Sequence, residues 1–156
     1  MFPKMRRINS LMNEEDTLKL LKKCDEGVLG TIGTNGYPHT IPVNHIVYND
    51  KLYIHGAKEG FKLNNIKANP KVSFTVYDNV AINQEEFRTD YQSVICYGKA
   101  KIISGDKEIL MELIKKYSYN FIDEGKTFID DGIETTHLIE ITIEHITGKD
   151  SRKNSK

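Results

Sequence analysis

Two-residue turn signals punctuate the first part of this chain, and they constrain its fold more than any other feature. Asn35-Gly36 separates the run GVLGTIGT from PHTIPVNHIVY, and Asn49-Asp50 separates that run from KLYIH. Such pairs adopt the left-handed backbone that closes tight hairpins. Segments joined this way are antiparallel neighbours, because a parallel pair needs a crossover of a dozen residues or more. Within PHTIPVNHIVY, His39, Ile41, Val43, His45 and Val47 share one face; Thr40, Pro42, Asn44 and Ile46 share the other. Pro42 has no amide hydrogen, which predicts an edge strand or an irregularity there.

Three more β segments follow. KVSFTVYD alternates Val72, Phe74 and Val76 against Ser73, Thr75 and Tyr77. YQSVICYGKAKII is long, and Gly98 inside it marks a bulge or a close backbone approach. THLIEITIEHI alternates Ile139, Ile141 and Ile143 with Glu140, Thr142 and Glu144. The acidic residues of 79–90 predict a loop.

Helices are expected in three places. Asn13 is a good N-cap for EEDTLKLLKKC, with Glu14, Glu15 and Asp16 in the first turn and Gly27 as the stop. KEGFKLNNIKANP is a short helix ended by Asn69-Pro70. Asp106 caps KEILMELIKKYSY, whose apolar face is Ile109, Leu110, Leu113, Ile114 and Tyr117. Residues 120–134 carry no clear period. The sum is a mainly β chain with peripheral helices, a small closed or split antiparallel barrel of about six strands. The length of 156 residues fits one domain. It is taken as residues 1–149, with 150–156 as a polar tail.

Bulk properties exclude more than they assign. Lys+Arg and Asp+Glu are 22 each, so the net charge is zero. That argues against a partner held by a global basic field, such as a nucleic acid, but not against one bound phosphate. No apolar run is long enough to span a bilayer, and no signal peptide is expected at the N-terminus. Cys24 and Cys96 stand alone, which fits a reducing, cytoplasmic setting and speaks against a zinc site.

Few residues point to chemistry. Gly30, Gly33 and Gly36 do not form GxGxxG and precede a hairpin rather than a helix, so the dinucleotide reading fails. His39 and His45 share a face but lie roughly 20 Å apart along a strand, too far to share a metal. His137 and His145 have no motif around them. The informative stretch is YIHGAKEGFKLNNI, where a strand ending in His55 passes through Gly56 and Ala57 into a helix start. Exposed amides at a helix N-terminus favour an anion. Lys58 and Lys62 are four apart, which puts them on one helix face, where both could reach a phosphate. The alternative is that both are solvated surface lysines.

At this point the chain resembles a known family, the pyridoxamine-5′-phosphate-oxidase-like proteins that bind FMN on a split β-barrel. Within it the chain is nearest the nitroimidazole-resistance (Nim-type) branch. The resemblance rests on the order and spacing of MRRI, GVLGTIGTNGYPHTIPVNHIVYNDKLYIHGAKEGFK, NPKVSF, DYQSVICYGKA and ITIEHITGK. It implies a six-stranded, Greek-key FMN-binding split barrel and a homodimer with FMN at the interface. It implies that Val43 and Asn44 run along the flavin ring, and that His55, Gly56 and Ala57 line the ring-to-phosphate region. Lys62, with Lys58 as a second candidate, would hold the phosphate, while Gln92 and Ser93 would come from the partner subunit. By the same resemblance His55 is the catalytic candidate, beside the reactive face of the flavin. The family often has Arg before the phosphate lysine, where this chain has Phe61. The C-terminal substrate segment of the vitamin-B6 oxidases has no counterpart in GKDSRKNSK, so oxidation of pyridoxamine phosphate is not expected.

The function expected is that of an FMN-dependent oxidoreductase acting on a small electron-poor acceptor of the nitroaromatic type, with NAD(P)H as donor. Two alternatives stay open: a non-catalytic binder of flavin or another planar cofactor (haem, deazaflavin), and a cofactor-free interaction protein.

Overall fold

A computed structural model describes residues 1–56 and 58–154; Ala57, Ser155 and Lys156 lie outside the described residues. Seven strands are present: β1 (Glu26–Ile32), β2 (Pro38–Asn44), β3 (Ile46–Tyr48), β4 (Lys51–Gly56), β5 (Lys71–Asn83), β6 (Arg88–Ser104) and β7 (His137–Asp150). They form one sheet in the order β2-β1-β5-β6-β7-β4-β3, with every neighbouring pair antiparallel.

The two edge strands of this sheet, β2 and β3, are consecutive in the chain, and only His45 separates them. Successive Cα atoms are about 3.8 Å apart, so the two edges cannot part there by more than about 7 Å. That link forces the sheet to curl until its edges meet at one corner. Among the described residues no ladder joins β2 to β3, so the barrel is closed at the corner and split elsewhere. The antiparallel split barrel expected from the sequence is therefore present, with seven strands instead of six. The extra strand arises because PHTIPVNHIVY breaks at His45. His45 is buried, and its amide and carbonyl bond to the Tyr117 hydroxyl and the Lys116 ammonium rather than to a neighbouring strand.

The hairpin at Asn35-Gly36 forms, but through a five-residue connection over 33–37 in which only Gly36 has positive φ (85°); the second turn is as tight as expected. Asn49 and Asp50 both have positive φ, 47° and 59°, which closes the β3–β4 hairpin in two residues. β2 is an edge strand, as Pro42 requires. Ile41 and Val43 turn inward to the core while Thr40, Pro42 and Asn44 are exposed. The β6–β7 register shifts between Tyr97 and Gly98.

The helices are α1 (Glu14–Lys23), α2 (Phe61–Ala68), α3 (Lys107–Tyr117) and α4 (Ile122–Gly132). Asn13 Oδ1 accepts from the Asp16 amide at 2.7 Å, and Asp106 Oδ1 accepts from the Ile109 amide at 3.0 Å, so both caps form as their sequences predict.

Three expectations are corrected, and one segment left open is filled. α1 ends at Lys23, and Gly27 lies inside β1 rather than stopping the helix. Residues 79–90 are not a loop: β5 runs to Asn83 and β6 starts at Arg88, leaving a tip that carries Glu85 and Glu86. Residues 120–134 hold α4, which has no side-chain N-cap to announce it. The tail is ordered further than its polarity suggests. Asp150 is buried, pairs with Arg152 at 2.7 Å and ends β7, and a short 3-10 turn follows over Ser151–Asn154.

Two apolar clusters fill the molecule. The barrel interior centres on Phe74, Leu29, Ile54 and Ile141, with Leu21 of α1 and Leu63 of α2 closing its ends. A second cluster lies on the outer face of β3, β4 and β7, where Ile46, Tyr53 and Leu138 meet Leu110 and Leu113 of α3 and Ile129 of α4. Each fully buried side chain of this size contributes about 1.5–3 kcal/mol relative to exposure. Gly125 allows the close contact of α4 with α3, since a Cβ there would sit 2.5 Å from Ile114 Cγ2.

Candidate functional site

The end of β4 brings several of the named residues together, but on two faces. His55 shares its parity with Tyr53, so it lies on the outer side of the sheet, exposed at the edge of the space between β4 and α3 and α4. Gly56 shares its parity with Ile54 and points the other way. A Cβ on Gly56 would lie 3.5 Å from Lys62 Cε and 3.7 Å from Lys62 Nζ. The Lys62 side chain thus folds back from the first turn of α2 across the end of β4. No carboxylate among the described residues pairs with it.

The start of α2 suits an anion. Its N-cap is Gly60 at φ 139°, a conformation glycine tolerates, and no side chain caps the first turn. No acidic residue occupies that turn. The orphan amides and the half-buried Lys62 therefore present positive charge at one place. Lys58 does not join Lys62 on a helix face, because α2 begins only at Phe61; it is exposed in the segment before the helix. Phe61, where the family often has Arg, sets its ring edge-on to His39 at 5.1 Å.

On the outer side, Asn44 and His55 border a cavity of about 260 Å³ roofed by α3 and α4. The roof was not legible as a site in the sequence: Leu110, Leu113 and Ile114 read only as a core face. The C-terminus of α3 is tied to the barrel corner nearby. Lys116 Nζ donates to the carbonyls of Cys24 (2.6 Å) and His45 (3.0 Å). The Tyr117 hydroxyl accepts from the His45 amide at 2.9 Å and lies 2.6 Å from the carbonyls of Asp25 and His45. Burial lowers the Lys116 pKa and raises that of Tyr117. The Asn44 amide donates to the Asp25 carbonyl at 3.2 Å, which fixes this side chain at the rim.

His45 itself is structural. Its Nε2 lies 2.8 Å from the Leu21 carbonyl, so this nitrogen donates, and Nδ1 is buried without a partner. Burial pushes its pKa down to about 4.

The side chains of the remaining named residues turn away from this cavity or lie far along the sheet from it. Val43 faces the barrel core. Gln92 pairs with Asp150 on β7 while His55 pairs with Leu138, so about 40 Å of strand separates them along the chain path. The Gln92 amide is also engaged locally, donating to Asp150 at 2.9 Å and accepting from Asn79 at 2.5 Å. Ser93 is half-buried in the same strand. Ala57 lies outside the described residues. Among the described residues no His/Cys/Asp/Glu group could hold a metal, and no helix is long and apolar enough to cross a membrane.

A curled antiparallel barrel with an uncapped strand–helix junction defines a split-barrel protein with a ready anion site. Residues 13–150 match the pyridoxamine 5′-phosphate oxidase family, and the chain belongs to that family. No curated protein matches it. Among solved structures, a conserved hypothetical protein from Mycobacterium tuberculosis superposes with a TM-score of 0.82 at 21% identity, covering 96% of this chain and 92% of that one. A protein provisionally described as a 5-nitroimidazole antibiotic resistance protein from Bacteroides thetaiotaomicron gives a TM-score of 0.66 at 21% identity over 89% and 85% of the two chains. A FAD-binding protein from Mesorhizobium loti gives 0.62 at 18% identity over 90% and 96%. At these identities the likeness establishes the fold.

Proposed function

We propose that this chain is an FMN-dependent oxidoreductase that reduces a small electron-poor acceptor of the nitroaromatic type, with NAD(P)H as donor. The observation that carries the reading is the Lys62 ammonium lying over Gly56 at the uncapped start of α2. An unpaired lysine beside orphan helix amides is what a phosphate monoester needs. Membership of the family and the FAD-binding description of one solved neighbour support a flavin as the owner of that phosphate.

Lys62 and the first amides of α2 hold the phosphate, with Lys58 at the edge of the same site. Gly56 leaves space at the strand end for the ligand to pass from the Lys62 side to the His55 side. Asn44, Val43 and the strand ends beside them flank the ring. Electron transfer is the chemistry the flavin supplies; the protein positions and tunes it. His55, at the cavity wall, is the group placed to give or take a proton there.

Gln92 and Ser93 serve the site of a second copy; the roughly 40 Å of strand path between them and His55 in one chain supports this. Exposed apolar residues near them support such an interface: Tyr77 is 63% exposed, Ile82 76% and Phe87 97%. A strictly monomeric protein that binds FMN at full affinity would remove these two residues from the site.

Anaerobic titration with NADPH tests the activity. Bound flavin should bleach, and a nitroaromatic acceptor should reoxidise it. Flavin that stays oxidised, with no acceptor consumed, makes the protein a binder without turnover. His55→Ala should leave FMN affinity within about threefold and slow turnover by about a hundredfold or more, the usual scale of general acid–base catalysis. Equal loss of both would make His55 a structural contact.

A further inference from the structure

The cavity beside His55 is chemically one-sided. Leu110, Leu113 and Ile114 of α3 form its inner wall with Ile129 of α4, and Phe128 stands at its mouth, 72% exposed. Among its described lining residues there is no Lys, Arg, Asp or Glu. A carboxylate or phosphate placed there would lose its hydration and gain no cation in return. The polar groups are Asn44 and His55 on the barrel side, Tyr117 and Ser118 at the end of α3, and Thr136, whose hydroxyl donates to the Gly132 carbonyl. The Tyr117 hydroxyl already spends its single proton on a backbone carbonyl, and the Asn44 amide already donates to Asp25. The His55 ring and the Ser118 hydroxyl have no side-chain hydrogen-bond partner among the described residues, and both are donors left for a ligand. The volume, about 260 Å³, lies just under the roughly 300–1,000 Å³ of drug-sized ligand pockets. It suits one ring with a small substituent.

We propose that this cavity is a binding subsite for a single uncharged aromatic ring bearing one polar acceptor group, with that group toward His55 and the ring against α3 and α4. The inference rests on the flavin reading above in one respect, that the ring is the electron acceptor. The cavity, its neutrality and its size stand without the flavin. On this account α3 and α4, and not the barrel, set acceptor specificity.

The test uses two probes of equal size, neutral 4-fluoronitrobenzene and anionic 4-fluorobenzoate, followed by fluorine NMR on the protein with and without added FMN. The neutral probe should bind saturably and at least tenfold more tightly than the anion. Ser118 lines the cavity and its side chain makes no hydrogen bond among the described residues. Ser118→Phe should fill the space, weaken the neutral probe at least tenfold and leave FMN affinity within threefold. Phe128→Ala, at an exposed position that cannot unfold the core, should weaken it at least threefold. Equal binding of the two probes, or undiminished binding of the neutral probe in both variants, overturns the proposal. Loss of FMN together with the probe in Ser118→Phe also overturns it, because the cavity would then belong to the flavin. If FMN is not taken up while the neutral probe still binds, the flavin reading fails and the subsite stands.

Discussion

Replacing Lys62 by alanine lowers the affinity for FMN at least tenfold while the protein stays folded. The side chain lies across the end of β4, with its Nζ 3.7 Å from where a Cβ on Gly56 would sit, and no acidic partner among the described residues holds it there. A charge-assisted hydrogen bond to a phosphate contributes about 1.5–3 kcal/mol. At 1.4 kcal/mol per decade that is about a tenfold to hundredfold change in Kd. The fold gains no described bond from the ammonium, so thermal stability should move little. Lys58→Ala is the control: it is exposed and precedes the helix, and its loss should change Kd by less than about threefold. Fluorescence titration of FMN measures both, and an unchanged Kd for Lys62→Ala refutes the phosphate assignment.

Stability falls by about 2 kcal/mol between pH 7 and pH 5, and His45 is the cause. Burial holds its folded pKa at about 4, against an ordinary value of 6.5. Because the folded pKa is depressed, the unfolded chain takes up the proton first as pH falls. The folded state is therefore fully favoured above about pH 6.5 and loses ground toward pH 4, by about 3 kcal/mol at the lower limit. The groups facing His45 do not reverse this sign. Lys116 disfavours the proton, the Leu21 carbonyl and Asp25 favour it, and the Phe74 ring at 4.8 Å is neutral. His45→Gln keeps a donor for the Leu21 carbonyl and titrates nothing in this range. Urea unfolding at the two pH values should give the loss in the native protein and most of it removed in the variant. Equal losses in both would assign the pH dependence to other groups.

His45 is the corner where the two sheet edges meet. Lys116 and Tyr117 bind the same corner and border the cavity through α3. The site's outer wall and the barrel's closure therefore depend on the same few hydrogen bonds.

Most of the fold was legible because its signals are local. Asn49-Asp50, the caps at Asn13 and Asp106 and the edge position of Pro42 each follow from the chemistry of one or two residues. The break at His45 was not, since it arises from tertiary hydrogen bonds of its backbone to Lys116 and Tyr117. α4 was hidden for a related reason. It starts without a cap, and Gly125 and Gly132 within it read as loop until Ile114 is seen against Gly125. The acidic tip at Glu85 and Glu86 masked the length of the β5–β6 hairpin.

The candidate site was legible as a set of residues but not as a geometry. Strand parity separates Asn44 and His55 from Val43 and the Gly56–Lys62 contact, so a ligand must cross the end of β4 to touch both groups. The spacing of Lys58 and Lys62 suggested a shared helix face, and the late start of α2 removes it. The cavity under α3 and α4 had no sequence signal, because residues that line a pocket from a helix look the same as residues that fill a core.

The central claim is that this barrel binds FMN through the β4–α2 junction. Equilibrium dialysis of the purified protein against FMN, read by the flavin absorbance of the retained fraction, tests it most directly. The account predicts a yellow protein that saturates at about one FMN per chain. A colourless protein that retains no added FMN would contradict it.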